Sequence, residues 1–139
     1  TDRKKYIIVT AGGKNIAPQN IENWFKQDQW ISQVMVYGDK RKYLVALVTL
    51  DEPEIEKYAD DKELEYESFA ELSRHDRIVY KVGQIMKEKN KKLPSWETIK
   101  YYKILERDFE VGEELTPTLK VKRKVCTEMY WDLLDGMYS

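Results

Sequence analysis

Apolar positions along this chain follow two rhythms, and the changes between them mark its elements. Lys5-Tyr6-Ile7-Ile8-Val9 is a short β-branched run closed by Gly12-Gly13, which predicts a strand entering a tight loop. Asn15-Ile16-Ala17-Pro18 is then expected to open a helix, because proline in a first turn withholds an N–H that has no partner there. Ile21, Trp24 and Phe25 follow at i, i+3 and i+4 and give that helix one apolar face. Ile31 to Tyr37 alternates in part and ends at Gly38-Asp39, and Tyr43 to Leu50 is the strongest strand signal in the chain. With Lys40-Arg41-Lys42 between them, these two runs predict an antiparallel hairpin with a charged tip.

Asp51-Glu52-Pro53 stops the sheet, and Pro53 to Asp61 predicts a short helix whose acidic start suits the positive end of its dipole. A longer helix is expected from about Ser68 to Lys91, with Ile78, Val82, Ile85 and Met86 on its inner side. Leu93-Pro94 ends it, and Ile99 to Leu105 alternates again as a last strand. Phe109 to Thr118 has no periodicity and reads as a loop. From about Val121 the spacing is helical, with Val125, Met129 and Leu133 beside Cys126, Tyr130 and Leu134. The expected order is β-α-β-β-α-α-β-α: an α+β fold in which a small sheet, an antiparallel hairpin plus flanking strands, packs with three to four helices.

Composition narrows the function classes. The 139 residues suit one domain, and 42% hydrophobic content supports a core despite 35% charged residues. Lys+Arg 24 against Asp+Glu 25 leaves no basic bias toward nucleic acid or membrane. One Cys and one His exclude a disulfide framework, a cysteine zinc site and a histidine metal cluster. No apolar run approaches the roughly 20 residues of a membrane span. The opening Thr1-Asp2-Arg3-Lys4-Lys5 is neither a signal peptide nor an initiator methionine, so the chain is expected to begin inside a longer polypeptide.

Two segments carry candidate chemistry. Gly12-Gly13-Lys14 can present backbone N–H groups to a phosphate or carbonyl, although it lacks the P-loop spacing and a plain turn with positive φ accounts for it equally. Thr116-Pro117-Thr118-Leu119-Lys120-Val121-Lys122-Arg123-Lys124 is a loop with four cations in five positions. A lysine there could reach an anionic transition state; a solvated basic helix start is the plain alternative, though unfavourable against the dipole. His75 reads as a solvated helix residue, Cys126 as core, and Trp96 with Tyr101-Tyr102 as strand and core residues.

The order of these segments resembles a known family. Asp2 to Glu22, through Lys5-Tyr6-Ile7-Ile8-Val9-Thr10-Ala11-Gly12-Gly13-Lys14, resembles the hinge and glycine loop of AMP-forming acyl-CoA synthetases, the superfamily of luciferases and peptide-synthetase adenylation domains. Leu115-Thr116-Pro117-Thr118-Leu119-Lys120-Val121-Lys122-Arg123 is similar to the segment bearing that family's C-terminal catalytic lysine. Ile99 to Leu105 with Asp108-Phe109 matches the strand and loop that precede it in long-chain fatty acyl members.

The resemblance implies that residues 1–139 form a single C-terminal lid domain that swings over a larger N-terminal domain. The implied reaction is that of a long-chain fatty acid–CoA ligase: ATP and a fatty acid give acyl-AMP and pyrophosphate, then CoA takes the acyl group and AMP leaves. Lys120 matches the adenylation lysine, Arg3 the group that holds the ribose hydroxyls, and Lys5, with Asp2 and Lys4 beside it, the hinge. Gly12 and Gly13 match the loop lining the CoA pantetheine tunnel. Leu119 stands where most members have glycine, so Lys122 and Lys124 stay beside Lys120 as alternatives for its role. Ala11-Gly12-Gly13 is one residue longer than the luciferase-like loop, which leaves open which glycine faces CoA. ATP and CoA are implied as substrates, Mg²⁺ as held by the N-terminal domain, and the isolated chain as inactive. A cytoplasmic location follows, with peripheral membrane contact left open. The other readings are the same superfamily with another carboxylic acid, and a stand-alone module that binds RNA or protein through Lys40-Arg41-Lys42 and Lys120 to Lys124.

Overall fold

The structure is a computed structural model and describes residues 6–138. Its centre is a three-stranded sheet in the order β3-β4-β5, where β3 is Ile31–Tyr37, β4 is Leu44–Leu50 and β5 is Ile99–Ile104. The hairpin β3–β4 is antiparallel, pairing Val34 with Val48 and Val36 with Ala46, whereas β5 runs parallel to β4. A parallel return needs a crossover, and three helices supply it: α2 (Glu52–Asp61), α3 (Phe69–Ser73) and α4 (Asp76–Asn90).

All seven residues of β4 are buried, because the sheet is covered on both faces. The alternation of a strand then sends neighbours to opposite cores. Leu44, Ala46, Val48 and Leu50 face one cluster with Phe25, Ile55, Leu72, Ile78 and Val82 from the helices. Val45 and Leu47 face a second cluster with Leu105, Phe109, Leu115, Cys126 and Leu134. The C-terminal third of the chain thus owns a core of its own, on the face opposite the crossover helices. Among the described residues, no helix is long and apolar enough to cross a membrane.

The α+β class holds, while four expected elements differ in detail. The first strand is confined to β1 (Ile8–Val9), and Asn15–Ile16 forms β2 rather than opening a helix. Each strand is two residues long, and together they make a ribbon that pairs Ile8 with Ile16 and buries both side chains. The helix starts only at Pro18 (α1, Pro18–Phe25). The single long helix expected from Ser68 starts there, with Ser68 Oγ accepting the Glu71 N–H, but is broken at His75, whose ring nitrogen accepts the Arg77 N–H and starts a new helix. His75 is therefore a helix cap. The last helix is also broken, into α5 (Arg123–Met129) and α6 (Trp131–Gly136), with the junction at Tyr130. Cys126 is buried as expected, and its desolvation raises the thiol pKa to about 11, far from a nucleophile's range. Trp96, read as core, is instead 46% exposed, and the Lys14 ammonium sits 4.5 Å from its ring centre.

Candidate functional site

Two hairpins carry the candidate residues. The first is the β1–β2 ribbon with its turn at residues 10–14. The Thr10 N–H donates to Lys14 O (3.1 Å), the Gly13 N–H to Thr10 O (2.9 Å), and the Lys14 N–H to Thr10 Oγ1 (3.2 Å). The turn is seated on the tip of the β3–β4 hairpin: Lys40 N–H donates to Val9 O, Ala11 N–H to Arg41 O, and Val9 N–H to Asp39 Oδ1. The two glycines are not equivalent. Gly13 has φ +85°, where any side chain is strained. At Gly12 a Cβ would meet only Thr10 Oγ1, at 4.0 Å. The turn therefore explains Gly13 and leaves Gly12 without an intramolecular reason.

The second hairpin carries Lys120. Leu115 and Val121 bridge antiparallel, and a tight turn closes beyond them. Pro117 stands at the second turn position that its fixed φ favours, and the Leu119 N–H donates back to Thr116 O (2.8 Å). Thr116 also accepts at Oγ1 from the Lys120 N–H (3.1 Å) and donates its own N–H to Lys120 O (2.8 Å). Leu119 has φ +68°, in the left-handed region that glycine occupies freely. The turn therefore needs a left-handed residue before Lys120, and leucine supplies it where glycine would do so without strain. Lys120 is exposed and makes no ion pair among the described residues.

The neighbouring cations are placed differently. Lys122 is the N-cap residue of α5, and its N–H donates to Glu114 O (2.8 Å). Arg123 grips Glu22 with both guanidinium nitrogens (2.8 and 2.6 Å) and lies over the Tyr6 ring at 5.1 Å. Glu22 Oε2 also accepts the Val36 N–H (2.7 Å). Burial still raises the Glu22 pKa, outweighing the Arg123 and Val36 bonds that lower it. Arg123 is thus a structural clamp between α5 and α1 that reaches the first described residue. Arg41 is similarly committed: it pairs with Asp135 at 2.8 Å and lies over Tyr138 at 4.4 Å. That removes the central cation of Lys40-Arg41-Lys42 from a nucleic-acid surface.

A cluster missed in the sequence lies beneath the lysine hairpin. Glu114 is fully buried. Its carboxylate accepts from Arg107 Nη1 (3.2 Å) and Nη2 (2.6 Å), from the Glu110 N–H (3.0 Å) and from the Tyr130 hydroxyl. Desolvation, the largest single influence, pushes the Glu114 pKa up, but the Tyr130, Arg107 and backbone bonds together bring it below the ordinary value. An acidic residue in an aperiodic loop beside Gly112 reads as solvated, so sequence pattern carried no signal for this burial.

Arg3, Asp2, Lys4 and Lys5 lie outside the described residues. Among the described residues no three His, Cys, Asp or Glu side chains converge on a point, so they do not fit a Mg²⁺ site.

The class of this α+β domain is given by its likeness to known proteins over the whole chain. A family model described as the AMP-binding enzyme C-terminal domain matches residues 5–139, and the chain belongs to that family. Among curated relatives, it is 36% identical to the long-chain-fatty-acid–CoA ligase FadD15 of Mycobacterium tuberculosis, over all of this chain and 24% of that protein. It is also 36% identical to the long-chain-fatty-acid–CoA ligase ACSBG2 of Gallus gallus, over all of this chain and 21% of that protein. The chain therefore spans about a quarter or less of the length of these relatives. Among solved structures, the adenylation domain of a Mycobacterium chelonae carboxylate reductase superposes with TM-score 0.70 at 26% identity, covering 99% of this chain and 20% of that one. A Mycobacterium tuberculosis fatty acyl CoA synthetase superposes with TM-score 0.55 at 22% identity, over 93% and 20%.

Proposed function

We propose that this chain is the mobile C-terminal lid of a long-chain fatty acid–CoA ligase, with Lys120 as its adenylation lysine. The observation that carries this reading is the Lys120 hairpin: an exposed ammonium, without an ion pair among the described residues, on a turn stiffened by backbone bonds and following a left-handed residue where the resembling family mostly has glycine. In the first half-reaction the fatty acid carboxylate attacks the α-phosphorus of ATP and pyrophosphate departs. Charge builds on the phosphoryl oxygens, and a fixed ammonium bridging them and the carboxylate stabilises the transition state. In the second, the CoA thiol attacks the acyl carbon and AMP leaves. Gly12, free of any intramolecular demand, then provides room for the pantetheine arm. Arg3 is assigned to the ribose hydroxyls and Lys5, with Asp2 and Lys4, to the pivot, by resemblance.

The test is Lys120→Ala in the full-length protein. Pyrophosphate release should fall by about two to three orders of magnitude, the usual loss for one transition-state donor. Thioester formation from supplied acyl-adenylate should persist. Adenylation that survives Lys120→Ala but dies with Lys122→Ala would move the role two residues on. A second reading keeps the chemistry and changes the acid, favoured by the fold likeness to carboxylate reductase adenylation domains. A panel of fatty, aryl and amino acids offered to the full-length protein separates the two.

A further inference from the structure

We infer that Glu114 is a positioning residue for Lys120, acting through the stem of the lysine hairpin; this rests on the reading of Lys120 given above. Residues 117–120 are all exposed, and Leu119 is 58% exposed, so the turn has no packing of its own to aim it. Its direction is inherited from the stem, where Leu115 pairs with Val121 and Glu114 O accepts the Lys122 N–H. Glu114 therefore holds the outgoing strand with its backbone and three other pieces with its carboxylate.

Beyond Glu114, these pieces are linked loosely: Arg107 and Glu110 share a long ion pair (3.9 Å), and Tyr130 stacks on Phe109 of their loop. Arg107 belongs to the loop after β5 and also donates to Asp108 O (2.9 Å), while Asp108 Oδ1 accepts the Thr49 hydroxyl of β4 (2.7 Å). Tyr130 sits at the break between α5 and α6, and the Glu110 N–H comes from the incoming loop. A line of directional bonds thus runs from the central strand to the base of the lysine turn. An ion pair that buries a carboxylate is a poor source of net stability, since its desolvation offsets much of the attraction. What it does supply is geometry, because a bidentate guanidinium and a hydroxyl fix a carboxylate in angle as well as distance. Catalysis by a preorganised charge is sensitive to misplacement on the order of 1 Å.

The experiment compares Glu114→Gln, Tyr130→Phe and Lys120→Ala in the full-length protein, each assayed for adenylation and for thioester formation from supplied acyl-adenylate. Glu114→Gln removes the charge facing Arg107 at nearly constant shape. Tyr130→Phe removes one donor and keeps the ring stacked on Phe109. The adenylation kcat should fall by about 10- to 100-fold in Glu114→Gln and less in Tyr130→Phe, with the KM for ATP little changed and the thioester step intact. In the Lys120→Ala background, Glu114→Gln should have no further effect, as two residues acting in series require. Equal slowing of both half-reactions, or full additivity with Lys120→Ala, would overturn the inference. Should Glu114→Gln fail to fold, the same comparison with Tyr130→Phe decides it. Intact adenylation in Lys120→Ala alone would instead sink the reading of Lys120, a distinct failure.

Discussion

Leu119 holds a backbone conformation that its side chain resists. A left-handed L-residue costs about 1–2 kcal/mol through Cβ crowding, and at 58% exposure Leu119 recovers little by packing. Leu119→Gly releases that strain but adds unfolded-state freedom, so a net gain of about 0.5 kcal/mol is expected. Leu119→Val, branched at Cβ, should lose about 1 kcal/mol. Urea unfolding of this chain measures both, and a clear loss in Leu119→Gly would mean that the leucine packs on something. At this scale the sequence was informative for chemistry and silent on environment. The turn before Lys120 rests on the local preferences of Thr116-Pro117-Thr118, while the role proposed for Lys120 came from the family resemblance. The roles of Glu114, Arg107 and Arg123 were not legible, because a charged residue looks the same in sequence whether it ends in water or in a clamp.

At the scale of elements, the glycine ribbon separates folding from function. Gly13→Ala forces an alanine to φ +85° and should destabilise the ribbon by about 1 kcal/mol. Gly12→Ala meets only an ordinary contact with Thr10 Oγ1 and should leave stability within about 0.5 kcal/mol of the original. In the full-length protein it should nevertheless slow thioester formation while sparing adenylation. Thermal melting paired with the two half-reaction assays checks this; a Gly12→Ala protein normal in both steps would return Gly12 to a turn residue. The hairpin β3–β4 was legible because two apolar, β-branched runs and the charged tip between them are local signals. The breaks in the two long helices were not: apolar spacing runs on through Leu72 to Ile78, while the first break carries the His75 cap and the second falls at Tyr130, whose hydroxyl bonds Glu114.

For the whole molecule, two Glu–Arg pairs, each with a buried carboxylate and a partly exposed guanidinium, fasten the C-terminal layer, and they respond to pH with opposite signs. Glu22 titrates above its ordinary 4.5 in the folded chain, so its contribution is fully present below 4.5 and is lost as pH rises through the raised value. Glu114 titrates below 4.5, so its contribution is present above 4.5 and is lost as pH falls through the depressed value. Urea unfolding at a series of acidic pH values should show the margin of the parent chain over Glu22→Gln shrinking as pH rises. The margin over Glu114→Gln should grow. Slopes of the same sign would show that one of the two carboxylates has been given the wrong surroundings. The two pairs also differ in reach: Arg123 and Glu22 are 101 residues apart in sequence, and Arg107 and Glu114 only seven.

What the amino-acid order determined by itself is everything set by neighbours within a turn or a strand. That includes the seven-residue run of β4 that must be covered on both sides, the positive-φ glycine turn, the proline-started helix and the threonine-proline turn that presents Lys120. The tertiary structure alone decided which charges are buried and what they hold. A carboxylate's surroundings are chosen when distant segments close over it, and desolvation and multi-donor hydrogen bonding then act at distances that no local pattern encodes.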